Sequence, residues 1–167
     1  MFVKKLTSID AKAYWELRLE ALKNAPEAFL TTYEEAVNRQ NPIEEYEQRF
    51  QTEGQFNLGA FEGEVLIGMV TLIRETHEKL RHRANIVAMY VDVKWRGKGI
   101  AKELLYEAIR IAKELPEVEQ LYLTVDAGNT PAKQLYSGLG FKVYAVEERA
   151  IKYKGEYRDE EHMVLFL

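Results

Sequence analysis

The residues best suited to chemistry in this chain form the short stretch Arg96-Gly97-Lys98-Gly99. A β-type run of apolar residues precedes it, and apolar residues recur at helical spacing from Ile100 to Leu115 after it. A helix that starts at a glycine turn presents free N–H groups and a partial positive charge, and glycines let a ligand approach the bare backbone. The stretch therefore predicts an anion site, most naturally for a phosphate or diphosphate, unless it is only a tight strand-to-helix turn.

Other chemistries are excluded by composition or spacing. The chain has no Cys, which excludes disulfides, thiolate metal sites and cysteine nucleophiles. Its His residues (His77, His82 and His162) lack the spacing of a catalytic zinc site, so we expect no metal. The glycine turn is neither a P-loop, which needs a second Gly-Lys-Ser/Thr, nor a dinucleotide fingerprint, which needs a third glycine.

Length and charge set the class of protein. A chain of 167 residues that is 47% hydrophobic and 30% charged predicts one domain, residues 1–167, with its own core. A net charge of −4 argues against general nucleic-acid binding. The first residues turn polar too soon for a signal peptide, and no apolar run approaches membrane length. We therefore expect a cytoplasmic protein with neither a membrane nor a nucleic-acid partner.

Hydrophobic periodicity and turn residues predict seven strands and four helices. The strands are expected at 2–6, 56–61, 65–74, from about 84, 121–125, 141–150 and 162–167. The helices are expected after Asp10 up to Asn24, at 43–52, at 100–115 and at 132–139. Residues 26–41 are predicted to be irregular, and a loop is predicted between the last two strands. This order indicates an α/β (α+β) sandwich around a mixed sheet.

Two stretches resemble the motifs of the GCN5-related N-acetyltransferase (GNAT) family. Arg96-Gly97-Lys98-Gly99-Ile100-Ala101 matches the signature Arg/Gln-x-x-Gly-x-Gly/Ala, and residues 129–141 match Asn-x-x-Ala-x-x-Leu-Tyr-x-x-x-Gly-Phe. The order of elements is also similar over nearly the whole chain. The resemblance implies the GNAT fold: a mixed, mostly antiparallel sheet of about seven strands, splayed at its central pair and flanked by about four helices.

The resemblance also implies an activity. Acetyl-coenzyme A (acetyl-CoA) would be the co-substrate, and the acceptor would be a primary amine of a small molecule or peptide. The acetyl group would pass directly between them in a ternary complex. Dimers are frequent in similar proteins, so a homodimer is also expected. The alternatives are a catalytically silent CoA-binding sensor or partner module, and an unrelated nucleotide-phosphate binder.

Cofactor-binding residues follow from the same resemblance. The backbone of Met89, Tyr90 and Val91 would pair with the pantetheine arm. The N–H groups of Gly97, Lys98, Gly99, Ile100, Ala101 and Lys102 would hold the diphosphate. Asn129 would bond the pantetheine or a nearby backbone group, unless it only caps its helix. Arg96 would contact phosphate or bond its own loop, and Lys98 and Lys102 would add positive charge.

The reaction itself needs two kinds of donor. Attack of an amine on a thioester creates an oxyanion, which a backbone N–H at Val91 can stabilise. It also expels a thiolate, and Tyr136 is the residue that the resemblance places near the sulfur. A phenol there can protonate the thiolate, so we predict Tyr136 as the general acid. The alternative is that Tyr136 is a core aromatic on a short buried helix face.

The general base is not assigned by the sequence. Some relatives carry a Glu five residues before the motif Asn, and this chain has Thr124 there, which cannot act as a base. Asp126, Glu75, His77 and a water chain stay open as candidates, and a substrate amine that is already neutral in the site would need no base. Ribosomal-protein modification, an activity of relatives that carry the Glu, is accordingly not expected.

The acceptor pocket is expected between the first helix pair and the loop before the last strand, at 29–33 and 151–159. Aromatic residues occur in both stretches, and acidic residues flank the second. Such groups suit a cationic amine, although an acidic solvated surface would have the same composition. The predicted substrate-binding residues are Phe29, Tyr33, Tyr153 and Tyr157.

Overall fold

The computed structural model describes all 167 residues as one twisted sheet with helices on both faces. The strands are β1 (Phe2–Lys5), β2 (Gln55–Glu62), β3 (Val65–Arg74), β4 (Arg83–Val91), β5 (Gln120–Asp126), β6 (Lys142–Tyr153) and β7 (Glu156–Phe166). The helices are α1 (Ala11–Asn24), α2 (Tyr33–Val37), α3 (Pro42–Arg49), α4 (Ile100–Glu114) and α5 (Thr130–Gly138). None of these helices combines the length and the apolar character needed to span a bilayer.

The strands form a seven-stranded sheet in the order β1-β2-β3-β4-β5-β7-β6. Every neighbouring pair is antiparallel except β4 and β5, which run parallel. A parallel pair needs a crossover connection, and α4 supplies it. The prediction of a mixed, mostly antiparallel sheet is therefore confirmed.

Two hydrophobic clusters hold the layers together. The larger one joins α4 and α5 to one face of the sheet through residues such as Leu104, Leu121 and Phe141. The smaller one packs α1 and α3 on the other face and is rich in aromatic rings, including Tyr14 and Tyr46. The helical apolar spacing of α4 therefore buries one stripe of that helix and fixes where its first turn lies.

The segment predicted to be irregular contains one short helix, α2, that the sequence did not predict. Thr32 caps α2: its hydroxyl accepts a hydrogen bond from the Glu35 backbone N–H at 3.1 Å, and the Glu35 carboxylate accepts one from the Thr32 N–H at 2.8 Å. This reciprocal pair is the Thr-x-x-Glu capping box, which is readable in the sequence. A helix of five residues is too short to show apolar periodicity, so the pattern alone did not predict it.

The loop predicted between the last two strands is wrong. β6 continues to Tyr153 and β7 begins at Glu156, so only Lys154 and Gly155 connect them. Both connecting residues have positive φ, 49° and 86°, as a two-residue hairpin turn of type I′ requires. Much of β6 is exposed, so its sequence lacks the alternation that marks a half-buried strand.

Candidate active site

The two central strands part and leave a gap in the sheet. The pairing of β4 with β5 ends at Asn85 and Tyr122, although both strands run on. Ala88, with a φ of 54°, lies where the register between β3 and β4 shifts. A bulge at this point bends β4 and increases its local twist. The splayed central pair predicted for the sheet is thus present.

The backbone of β4 offers a free donor at this gap. The N–H of Asp92, directly after β4, donates to the carbonyl of Ile67 on β3 at 2.9 Å. Since successive backbone groups of a strand point to opposite sides, the N–H of Val91 points away from β3 and into the gap. The Val91 carbonyl accepts a hydrogen bond from Arg96 Nε at 3.1 Å. Arg96 therefore bonds the last residue of β4, and its contact with phosphate stays a prediction.

Next to the gap, the start of α4 presents unpaired backbone donors. None of the N–H groups of residues 97–102 donates to an acceptor within the protein, and the first such bond runs from Glu103 to the carbonyl of Gly99. Gly97 and Gly99 have φ of 75° and 81°. A Cβ at either glycine would meet no atom within 4 Å, so backbone conformation and not packing requires glycine there. Six consecutive backbone donors at a helix N-terminus thus have no partner within the protein.

The side chains around these donors divide into buried and exposed groups. Ile100 is buried in the main core and anchors the first turn of α4, and Ala101 and Met89 pack against the same core. Lys98 and Lys102 are exposed, and their ammonium groups lie 4.3 Å and 5.4 Å from the ring centres of Trp95 and Tyr106. Both lysines are free to bring positive charge to an anion at the helix start.

The Tyr90 side chain is buried on the face of the sheet that α1 covers. Its hydroxyl donates to the Glu20 carboxylate at 3.1 Å. Burial raises the pKa of Tyr90. Tyr90 therefore fixes β4 against α1 through its side chain, while its backbone belongs to the stretch predicted to pair with pantetheine.

Tyr136 lies on α5 and Asn129 directly precedes that helix, as the sequence predicted. Asn129 caps the helix, accepting a hydrogen bond from the Ala132 N–H at 3.2 Å. The Tyr136 ring packs edge-on against Phe141 at 6.1 Å between ring centres and belongs to the main core. Burial raises the pKa of Tyr136 to about 12. Tyr136 is therefore a core residue and Asn129 a helix cap, as the alternatives left open by the sequence had it. Neither role prevents a further role in binding.

On the face covered by α1 and α3, an open cleft of about 580 Å³ reaches the parted strands. Its walls come from α1, α3, the segment after α1, and strands β2, β3, β4, β5 and β7. Phe29 lines this cleft, as predicted for the acceptor pocket. Tyr33, Tyr153 and Tyr157 do not line it, and the latter two belong to the strands that replace the predicted loop.

Two of the three side chains that the sequence offered as the base are engaged by other groups. Asp126 accepts hydrogen bonds from the Arg158 guanidinium and from the Gly128 N–H. The bonds from Arg158 are the main cause that holds the pKa of Asp126 below its usual range, against the opposing effect of burial. Glu75 accepts a hydrogen bond from Asn85 Nδ2 at 2.7 Å, and His77 is exposed in a loop. None of these three lines the cleft.

Sequence reasoning missed Glu160 and His162 as neighbours of the gap. Glu160 on β7 lines the cleft. Burial raises its pKa, the Glu147 and Asp126 carboxylates act in the same direction, and His162 acts in the opposite one. His162 contacts the Thr124 hydroxyl through Nδ1 at 3.2 Å and Glu147 through Nε2 at 3.0 Å. Had 156–166 been predicted as a strand beside β5, its two-residue period would have grouped Glu160 and His162.

The same side chains form a compact polar cluster. The potential ligand atoms of Glu147, Glu160 and His162 lie within 4.8 Å of one another. Exposed acidic groups commonly approach this closely without a cation. That the site uses no metal stays a prediction from the sequence.

A splayed mixed sheet with free amides at the helix after its central strand defines the class of protein. The model of the acetyltransferase (GNAT) family matches residues 20–141. The chain therefore belongs to the GNAT family, and the predicted family is confirmed.

Individual relatives agree with this assignment. The L-amino acid N-acetyltransferase AaaT of Escherichia coli K12 is 27% identical over 106 residues, or 64% of each protein. The chain thus spans just under two thirds of that relative's length. The GNAT-family acetyltransferase of Streptococcus pneumoniae superposes with a TM-score of 0.87 at 20% identity, covering 99% of both chains. The structure of Salmonella typhimurium yncA, solved with its cofactor acetyl-CoA, superposes with a TM-score of 0.85 at 23% identity. The match covers 99% of this chain and 93% of the yncA chain. These structures share the fold.

Proposed function

We propose that this protein is an acetyl-CoA-dependent N-acetyltransferase that acetylates a primary amine of a small molecule or peptide in a ternary complex. The observation that carries the proposal is the parting of β4 from β5 directly before six unpaired N–H groups. Membership of an acetyltransferase family supports it, as do the name of AaaT and the acetyl-CoA bound to yncA.

The diphosphate of the co-substrate is proposed to lie against residues 97–102. Their N–H groups donate to phosphate oxygens, and the positive end of the α4 dipole favours the negative charge. Lys98 and Lys102 add charge from exposed positions. The pantetheine arm then runs along Met89, Tyr90 and Val91, whose strand has lost its partner there. The cofactor thus takes the place that β5 would occupy beside this part of β4.

The acceptor amine attacks the thioester carbonyl from the cleft side. The new C–N bond forms as electrons move to the carbonyl oxygen, and the resulting oxyanion accepts a hydrogen bond from the Val91 N–H. Collapse of the intermediate breaks the C–S bond and expels the CoA thiolate. The product amide carries the acetyl group, and one amine proton must leave.

Tyr136 is proposed to donate to the departing thiolate. A pKa of about 12 keeps its hydroxyl protonated throughout the physiological range, so a donor is always present. Packing against Phe141 fixes the ring, so that the hydroxyl needs little reorganisation during the reaction. The same burial that makes Tyr136 a core residue therefore suits it to this role.

Glu160 is proposed to accept the amine proton. It lines the cleft, and its raised pKa brings a carboxylate closer to the neutral range in which a general base works best. Beside Glu160, hydrogen bonds link Thr124 to His162 and His162 to Glu147, and this series can carry the proton to solvent. Glu160 supplies the base that Thr124 cannot, from the neighbouring strand.

Thiol release tests the proposed activity. Purified protein with acetyl-CoA and a panel of small amines and peptides is expected to release free CoA only when an acceptor is present. Tight CoA binding without turnover on any amine would contradict the enzyme and favour a silent CoA-binding module. Displacement of CoA by ATP would instead indicate a nucleotide-phosphate binder.

The proposed setting is the cytoplasm, where acetyl-CoA and free amines meet, and the proposed assembly is a homodimer. Sedimentation velocity at micromolar concentration is expected to give twice the 19.4 kDa chain mass. A single species at the chain mass would exclude the dimer without affecting the proposed chemistry.

A further inference from the structure

In the acceptor cleft, the positively charged side chains lie apart from the negatively charged one. Only three of its lining residues are charged: Arg18 on α1, Arg49 on α3 and Glu160 on β7. The two guanidinium groups lie close enough to the Tyr14 hydroxyl to lower its pKa, although burial dominates and raises that pKa to about 12. The arginines therefore share one end of the cleft, under the helices, while the carboxylate lies beyond the gap.

Arg18 is a cation without a partner. It makes no hydrogen bond to the protein, and no carboxylate oxygen lies within 4 Å of it. Its guanidinium carbon lies 4.4 Å from the ring centre of Phe29, which holds the group in place. Its Nη1 is nevertheless buried. A buried guanidinium donor without an acceptor is costly unless a ligand supplies one.

A second unpaired donor lies in the same cleft. Asn57, which is 2% exposed, has no partner for Nδ2. Its Oδ1 accepts hydrogen bonds from the Thr71 hydroxyl at 2.9 Å and from Gln55 Nε2 at 3.2 Å. In this orientation of the amide both hydrogen bonds go to Oδ1. Nδ2 is therefore the free atom.

Resting on the proposed function, we propose that the acceptor is an amine that also carries a carboxylate, such as an amino acid or a short peptide with a free C-terminus. A planar guanidinium and an amide donor that line the same cleft match the planar carboxylate and its several lone pairs. Arg18 and Asn57 bind the carboxylate, and the amine points toward the gap and Glu160. A polyamine would instead place a second cation against two arginines.

Matched pairs of acceptors test the proposal. Each α-amino acid, ω-amino acid and dipeptide is assayed beside its own C-terminal amide, which keeps the amine and removes the negative charge. For the best acceptor, kcat/KM of the acid is expected to exceed that of the amide by roughly 10- to 100-fold, as for a hydrogen bond to a charged group. A best acceptor that has no carboxylate would overturn the proposal.

Variants assign the preference to Arg18. Arg18→Met keeps an unbranched, largely apolar side chain but removes the guanidinium, and it is expected to bring the acid-to-amide ratio close to one. Arg18→Lys keeps the charge without the planar fork and should retain part of the ratio. Arg81→Met, at an exposed arginine outside the cleft, is the control and should keep the full ratio. An unchanged ratio in Arg18→Met would also overturn the proposal.

CoA affinity separates this proposal from the proposed function. Arg18→Met is expected to bind CoA as the wild type does, because Arg18 lies on the acceptor face, and this also shows that the variant is folded. Turnover of amides and simple amines at rates equal to those of the carboxylate-bearing acceptors would contradict only the proposed carboxylate site. Absence of CoA binding in the wild type would sink the proposed function itself.

Discussion

The start of α4 and the acceptor cleft offer different kinds of chemical group. Residues 97–102 present main-chain N–H groups from six consecutive positions. The cleft presents side chains from elements far apart in the chain, such as Arg18, Asn57 and Glu160. A main-chain site tolerates most side-chain changes and fails when the backbone conformation changes. A side-chain site responds to single substitutions, and its specificity can change without altering the fold.

The largest expected effect comes from Gly99→Val. A β-branched residue at a φ of 81° is strained by about 1–2 kcal/mol, and relief of that strain moves the start of α4. Loss of several charge-assisted bonds, at about 1.5–3 kcal/mol each, should weaken CoA binding roughly 10⁴-fold or more. Isothermal titration calorimetry measures the affinity.

Gly155→Val is the matched control. Gly155 has a φ of 86° and, like Gly99, open space where a Cβ would stand, but it lies in the β6–β7 turn. It should lower stability to a similar degree and leave CoA affinity unchanged. Equal loss of affinity in both variants would show that strain, and not the lost N–H array, weakens binding.

Glu160→Gln is expected to have the next largest effect. Removing a general base should lower kcat/KM by about 10²–10⁴-fold while CoA affinity stays the same. Glu148→Gln, at an exposed position outside the cleft, is the control.

The pH profile gives the second readout for Glu160. A general base works deprotonated, so activity should rise with pH through the pKa of Glu160, which lies above the usual value of 4.5. This acidic limb should be absent in Glu160→Gln. A variant that keeps both the limb and the rate would assign the base elsewhere.

How far the sequence predicts each site follows from how each is built. The α4 site is contiguous, so Gly97 and Gly99 between an apolar strand and an apolar helix suffice to predict it. The fold was also predictable, because most elements have clear periodicity. Glu160 could not be identified, because 156–166 has no clear alternation and only its pairing with β5 brings that carboxylate to the cleft. Arg18 was equally unreadable, since nothing in α1 distinguishes it from a solvated arginine.

Tyr136→Phe should have a smaller effect, about 100-fold on kcat. The change removes only the hydroxyl and keeps the aromatic ring that packs against Phe141. Stability and CoA affinity should therefore stay close to wild type. Tyr106→Phe, on the exposed side of α4, controls for loss of a phenol. Wild-type turnover by Tyr136→Phe at every pH would leave Tyr136 as a core residue only.

Asp126→Asn is expected to affect stability and not turnover. Breaking its bonds to Arg158 should lower the free energy of unfolding by about 1–3 kcal/mol at neutral pH. Because the pKa of Asp126 is held below 3.8, this stabilisation is present above pH 3.8 and is lost as pH falls through the lower, folded-state pKa. Denaturant unfolding of both proteins should therefore show a difference that closes in acid. A large loss of turnover would give Asp126 a role in the reaction.

Backbone hydrogen exchange with and without CoA tests the central claim most directly. If the free N–H groups at the start of α4 bind the diphosphate, residues 97–102 should exchange quickly in the free protein and gain the strongest protection when CoA binds. Protection should also appear at Val91, beside the gap. Saturating CoA that leaves 97–102 unprotected, or that protects another surface more strongly, would contradict the account.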